Sequence, residues 1–270
     1  MQVIEWSRLI NETPLKGSPS AITVGVFDGV HRGHMAIIEQ IVSYDKHVVP
    51  VVITFIQSHH KKARSGKQDY PGDILSYRQK IAAFESLGVS LTVIVEFSES
   101  FRRMRGEEFL RILHERCNMS FMAVGNNFRC GYRLDTDASA IQQFNDRRNI
   151  PTCIVQSLTE SSEPISSSQI RAAIAGGRVQ TAQMMLGCPF TVDLGGASVE
   201  STGNGNAYDI AGQGRILPPP GRYPVLLLGK NHNKTTEILV EGGKIITSRD
   251  FTGEFPEPEY VKFLSNSVSC

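Results

Sequence analysis

From Ala21 to about Leu186, short apolar runs alternate with longer stretches in which apolar positions recur every three to four residues. The runs at 22–27, 48–55, 91–97, 121–124 and 152–155 predict strands, and the periodic stretches at 35–43, 74–87, 107–116 and 139–148 predict helices. Gly88 stands just past one of these stretches, where a helix ends readily. Two further short helices are expected at 168–175 and 179–186, separated by Gly176-Gly177. Strands alternating with helices are the signature of βαβ units, so the fold class expected is α/β, Rossmann-like, with a mostly parallel sheet. After Cys188-Pro189 the pattern changes: Gly195-Gly196, Gly203, Gly205, Gly212, Gly214 and Pro218-Pro219-Pro220 punctuate short β-like segments such as 223–228 and 236–240. The expected organisation is one α/β domain over 1–187, followed by a small β domain over 188–270.

Composition narrows the class of partner. A chain of 270 residues with 40% hydrophobic content can bury a core, and 28 Lys+Arg against 27 Asp+Glu leave a formal charge of +1. No overall field draws a nucleic-acid backbone or an anionic membrane, so neither partner is expected, while a small anion held by local groups is not excluded. The five cysteines are scattered, without a C-x-x-C pair or zinc spacing, which fits a reducing cytoplasm. The N-terminus shows neither a basic start nor an apolar run of signal length, and no stretch of about 18 apolar residues occurs, so a cytoplasmic location is expected.

Candidate chemistry gathers in three segments. In Thr23-Val-Gly-Val-Phe-Asp-Gly-Val-His-Arg-Gly-His34 an apolar strand runs through a glycine-containing turn into a helix. Gly25, Gly29 and Gly33 allow close approach to the backbone at a helix start whose free N–H groups favour phosphate. His31 and His34 can donate hydrogen bonds to charge developing on a phosphoryl group. Pro164-Ile-Ser-Ser-Ser-Gln-Ile-Arg171 precedes another helix; alone, Ser166 to Ser168 read as an ordinary N-cap. Paired with the histidine segment, they and Arg171 read as a second anion site at a strand's carboxyl end. Val124-Gly-Asn-Asn-Phe-Arg-Cys-Gly131 places Asn127 and Arg129 on the same sheet edge, or forms only a polar turn closed by Gly131. The basic loop 56–67 also leaves a strand end and is either solvated surface or an attractor of anions.

In that order and spacing, the stretch Gly25 to His34, the segment Val124 to Gly131 and the segment Ile165 to Arg171 resemble the FMN adenylyltransferase module of prokaryotic bifunctional riboflavin kinase/FAD synthetases, over about residues 15–187. The resemblance implies transfer of AMP from ATP to the phosphate of FMN, giving FAD and pyrophosphate, with Mg2+ bridging the triphosphate and no protein ligand set for the metal. It implies that His31, His34, Ser167 and Arg171 are the catalytic residues: the histidines on ATP phosphates, Arg171 and Ser166 to Ser168 toward the departing pyrophosphate. Gly25, Phe27, Asp28, Gly29 and Gly33 would shape the nucleotide pocket, and Asn127, Phe128 and Arg129 would face the flavin. Phe55 and His59 belong to a loop expected near the substrates, and here the chain departs from the family. It reads Thr54-Phe55-Ile56-Gln57-Ser58-His59-His60 where the family has Thr-Phe-Asp-Pro-His-Pro.

The second region departs further. No Pro-Thr-Ala-Asn kinase motif follows Cys188, although Leu217-Pro-Pro-Pro-Gly-Arg-Tyr-Pro224 is similar to the Pro-Gly-x-Tyr turn of the family's barrel. The resemblance therefore implies a small, shortened β-barrel-like domain over 188–270, and an adenylyltransferase whose riboflavin kinase is lost. Other readings remain open. One is a nucleotidylyltransferase for nicotinamide mononucleotide, phosphopantetheine or a CMP acceptor. Another is a flavin- or nucleotide-binding protein whose chemistry has decayed. A class I aminoacyl-tRNA synthetase shares H-x-G-H, but the chain lacks Lys-Met-Ser-Lys-Ser and the near-neutral charge opposes a tRNA partner.

Overall fold

A computed structural model of the chain describes residues 1–15, 17–56, 70–160, 162–202, 205–248 and 258–264. His59 and most of the basic loop lie outside the described residues. The chain forms two compact units. The first comprises the described residues of Met1–Phe27, Gly33–Ser58 and Ile81–Thr159, and the second those of Asp28–Arg32, His59–Lys80 and Glu160–Cys270.

The first unit is built on a six-stranded, all-parallel sheet. Its strands are β1 (Gln2–Glu5), β2 (Ser20–Gly25), β3 (Val49–Ile56), β4 (Leu91–Glu96), β5 (Met119–Gly125) and β6 (Thr152–Val155), in the order β1-β4-β3-β2-β5-β6. Five of them coincide with the apolar runs, because strands covered on both faces read as continuous rather than alternating hydrophobic sequence. Five of the six residues in each of β2 and β4 are buried. The helices are α1 (Trp6–Asn11), α2 (Arg32–Ser43), α3 (Tyr77–Ser86), whose first four residues belong to the second unit, α4 (Glu99–Arg103), α5 (Gly106–Cys117) and α6 (Ala138–Asp146).

Several element ends differ from the sequence pattern, each for a local reason. The helix expected from residue 74 begins at Tyr77, because Ser76 and Gln79 close a reciprocal capping box: the Gln79 N–H donates to Ser76 Oγ at 3.1 Å and the Ser76 N–H to Gln79 Oε1 at 3.0 Å. α6 starts one residue early, on an Asp137 cap that accepts the Ala140 N–H at 3.0 Å. β1, α1 and α4 have no counterpart in the sequence reading, being too short to show a period.

The second unit holds a seven-stranded antiparallel sheet and two helices, α7 (Ser167–Ala175) and α8 (Val179–Leu186). Its strands β7 (Thr191–Asp193), β8 (Val199–Thr202), β9 (Gly205–Asp209), β10 (Gly221–Leu228), β11 (Asn233–Glu241), β12 (Lys244–Ile246) and β13 (Tyr260–Phe263) run in the order β7-β13-β10-β11-β12-β9-β8. The segments expected at 223–228 and 236–240 lie within β10 and β11, which pair from Gly221↔Val240 to Leu228↔Asn233. Each unit has its own apolar core: Ile22, Ile53, Val93, Leu110 and Met122 in the first; Ile170, Leu186, Phe190, Val225 and Val261 in the second. No helix among the described residues is long and apolar enough to cross a membrane. The expected class, a parallel Rossmann-like α/β sheet followed by a small antiparallel β domain, is what the chain adopts.

Candidate active site

In the first unit the strand order reverses between β2 and β5, and at such a switch point the loops leaving the two carboxyl ends diverge and open a crevice. A cavity of about 490 Å³ lies there, lined at its base by Gly25 and Gly125, the last residues of those two strands. Seven residues singled out in the sequence line it: Gly25, Phe27, His34, Phe55, Asn127, Phe128 and Arg129. Phe97, Phe101, Arg102, Met104, Phe109 and Leu134 are among the other wall residues and were not foreseen. Phe55 and Phe97 stack at 4.9 Å and 21°, and Phe101 meets Phe97 edge-on at 5.8 Å. Phe97 lies just before the Ser98 cap of α4 and Phe101 within that helix, so no single period along the sequence marked the two together.

The cavity's shape depends on two tight backbone passages. After β2 the chain turns through Phe27, a non-glycine residue in the left-handed region (φ 51°), while the Thr54 hydroxyl donates to the Val26 carbonyl at 3.1 Å. Phe27 is thereby turned inward, edge-on to His34 at 5.1 Å and to Phe84 at 5.7 Å. On the other wall Gly131 has φ 82°, and a Cβ there would sit 2.4 Å from the Gly106 amide nitrogen. Asp135 Oδ1 accepts that Gly106 N–H at 3.1 Å and the Thr136 hydroxyl at 2.9 Å, so the crossing of the two chains is satisfied internally.

In the second unit Asp28, Gly29, His31, Ser166, Ser167, Ser168 and Arg171 are found. Asp28 is 3% exposed, and its carboxylate accepts the Ile74 N–H (3.0 and 3.2 Å to its two oxygens), the Leu75 N–H (3.3 Å) and Arg171 Nη2 (2.5 Å). Arg171 also donates through Nε to the Gly72 carbonyl at 3.0 Å and through Nη2 to the Tyr70 hydroxyl at 3.1 Å, with its guanidinium 4.9 Å from the centre of the Tyr70 ring. Tyr70 in turn donates to Asp73; burial first, and then the Asp73 carboxylate, raise its phenol well above the ordinary range. Ser166 caps α7 by accepting the Gln169 N–H at 3.3 Å, Ser167 donates to the Asp28 carbonyl at 2.7 Å, and Ser168 is exposed on the first turn. Sequence reasoning found Asp28 and Arg171 but not their mutual engagement, and it missed Tyr70 and Asp73 entirely.

His31 is 5% exposed, and burial depresses its pKa to about 4, so at neutral pH it is a neutral imidazole. Two backbone positions beside it are unusual: Gly29 at φ 88° and the β-branched Val30 at φ 40°. A Cβ at Gly29 would lie 3.2 Å from Ile74 Cδ1, so this turn is both left-handed and closely packed. Gly33 is the second residue of α2. Among the described residues no group of three or more His, Cys, Asp or Glu side chains is placed to hold a metal ion.

Comparison with known proteins gives this geometry a context. The family model of FAD synthetase matches residues 14–169. The chain is 27% identical over 179 residues to the bifunctional riboflavin kinase/FMN adenylyltransferase of Buchnera aphidicola subsp. Schizaphis graminum, covering 65% of this chain and 57% of that enzyme. It is 25% identical over 234 residues to the enzyme of the same name from Escherichia coli strain K12 (85% of this chain, 74% of that one). To the one from Bacillus subtilis strain 168 it is 28% identical over 232 residues (80% and 69%). A crystal structure described as a macrolide-efflux protein from Streptococcus pneumoniae superposes with a TM-score of 0.77 at 20% identity, over 98% of this chain and 90% of that one, a likeness of fold. With the matched span taking in more than half of the chain, including every residue that lines the strand-end cavity, the chain belongs to the FAD synthetase family.

Proposed function

We propose that the protein transfers AMP from ATP to FMN, releasing FAD and pyrophosphate. The observation that carries this reading is the 490 Å³ aromatic-walled cavity at the switch point of the parallel sheet, lined by residues of both the histidine and the Asn-Phe-Arg segments. An apolar slot ringed by phenylalanines suits a flat conjugated ring, and Asn127 and Arg129 at its exposed edge suit polar flavin or phosphate groups. An FMN phosphate oxygen forms the new bond to the α-phosphorus of ATP, and the bond from that phosphorus to the α,β-bridging oxygen breaks, so pyrophosphate departs in line. The protein contributes positioning and charge stabilisation.

In this reading His31 and His34 donate to phosphate oxygens, His31 as a neutral imidazole. Arg171, held by Asp28, lends its charge to the departing pyrophosphate from a fixed place, together with the donors at the start of α7. Magnesium arrives on the triphosphate as part of the substrate. Residues 1–187 form the transferase in this division and 188–270 a β domain without riboflavin kinase activity, in a cytoplasmic protein. The test is product chromatography after incubation of the full chain with ATP, magnesium and FMN. FAD and pyrophosphate in equal amounts are expected; NAD or dephospho-CoA formed in preference when their precursors are offered, or nucleotide binding without pyrophosphate release, overturns the reading.

A further inference from the structure

We propose that Asp193 and Arg215, on the antiparallel-sheet part of the second unit, are positioning residues for adenylyl transfer: they clamp the segment 72–79, and that segment fixes the Asp28–Arg171 pair. The inference rests on the function proposed above.

The segment faces two ways. Toward Asp28 and Arg171 it presents the N–H groups of Ile74 and Leu75 and the carbonyl of Gly72, so one short stretch of backbone addresses both partners of the ion pair. Toward the sheet, Asp193 at the end of β7 accepts Ser76 Oγ at 2.5 Å and Arg78 Nη2 and Nε at 2.6 and 3.2 Å, while the Gly195 N–H donates to it at 2.8 Å. Burial pushes the Asp193 carboxyl up, but these donors outweigh it and hold the group ionised below its ordinary range. Gln79 Nε2 donates to the Thr191 carbonyl of the same strand at 2.8 Å.

Arg215 secures the other end. It is 7% exposed and donates through Nη2 to Gln79 Oε1 at 2.8 Å and to the Ile74 carbonyl at 3.4 Å. Ile74 thus has its N–H on Asp28 and its C=O on Arg215, a single residue between the sheet and the ion pair. The neighbouring backbone is zipped: the Asp73 N–H donates to Gly214 O at 2.8 Å and the Ile216 N–H to Asp73 O at 3.1 Å. Gly72, at φ 116°, is required by this approach, since a Cβ there would lie 2.6 Å from the Arg215 backbone. Charge placement in a catalytic site must hold to about half an ångström, and a free loop cannot hold Asp28 and Arg171 to that tolerance. A reason follows for keeping an antiparallel sheet that lacks the kinase motif.

The experiment uses the full chain with Asp193→Asn, Gly72→Ala and, as a control on the exposed Arg222–Glu237 pair of the same sheet, Arg222→Gln. Should Asp193→Asn fail to fold by circular dichroism, Arg78→Gln, at a side chain 47% exposed, carries the same test. Expected are a fall in kcat of about tenfold with KM for FMN within about twofold, since positioning acts on the transition state. Amide hydrogen exchange at Ile74 and Leu75 becomes faster, and the control is unchanged. In an Arg171→Lys background, Asp193→Asn costs less than about threefold more, because the two act in one chain of contacts. A folded Asp193→Asn protein with parental kcat and slow exchange at both amides overturns the proposal, as does full multiplicativity with Arg171→Lys. Absence of FAD formation by the parent protein overturns the functional reading instead, and the exchange measurement still decides whether the clamp exists.

Discussion

His31 carries a measurable consequence of its burial. Its pKa is depressed from 6.5 to about 4, so the unfolded chain binds more protons than the folded one between those values. The stabilising contribution is therefore complete above about pH 6.5 and lost as pH falls toward 4, amounting to about 3 kcal/mol over the whole window. Urea unfolding at a series of pH values should show this decline, and His31→Gln should flatten it; an identical pH slope in the variant refutes the assignment. The same burial keeps the imidazole neutral at physiological pH, so it would meet a phosphate as a dipolar donor and not as a cation. His31 was legible in the sequence as a candidate; its protonation state was not, because desolvation comes from residues distant in sequence. Arg171 teaches a similar lesson. Its place one turn into a helix was readable, but its engagement by Asp28, Gly72 and Tyr70 joins positions about a hundred residues or more apart.

Among the elements, the parallel strands were the most legible part, because burial on both faces leaves a continuous apolar run that no loop imitates. The short elements were not: α4 spans five residues, Glu99–Arg103, yet contributes Phe101 and Arg102 to the cavity. The Ser76-x-x-Gln79 box was in plain view as a start signal and corrects the expected helix start by three residues. Gly131 makes an element-level prediction. Its positive φ and the 2.4 Å approach to the Gly106 nitrogen mean that Gly131→Ala must displace either the start of α5 or the Arg129–Cys130 strand on the cavity wall. A loss of about 2 kcal/mol in thermal or urea unfolding is expected, with weakened FMN binding by fluorescence titration. A variant equal to the parent in both measurements would mean that the crossing is looser than its geometry indicates.

For the whole molecule, membership of the FAD synthetase family rests on 156 matched positions, residues 14–169, and leaves the antiparallel sheet to be explained by its own contacts. With no Pro-Thr-Ala-Asn motif after Cys188, riboflavin, ATP and magnesium should yield no FMN while FMN under the same conditions yields FAD. Riboflavin-dependent release of ADP in stoichiometric amount would overturn this. The sequence by itself determined the parallel α/β class, most element positions and the three segments that carry the candidate site residues, since these follow from periodicity and from the local backbone preferences of glycine and serine. Only the tertiary structure decided which aromatic residues wall the cavity, which groups hold Arg171 and Asp28, and that Asp193 and Arg215 reach the segment between them. Those pairings depend on where sheet topology carries residues far apart along the chain, and the separation of contacting side chains in space leaves no period in the sequence.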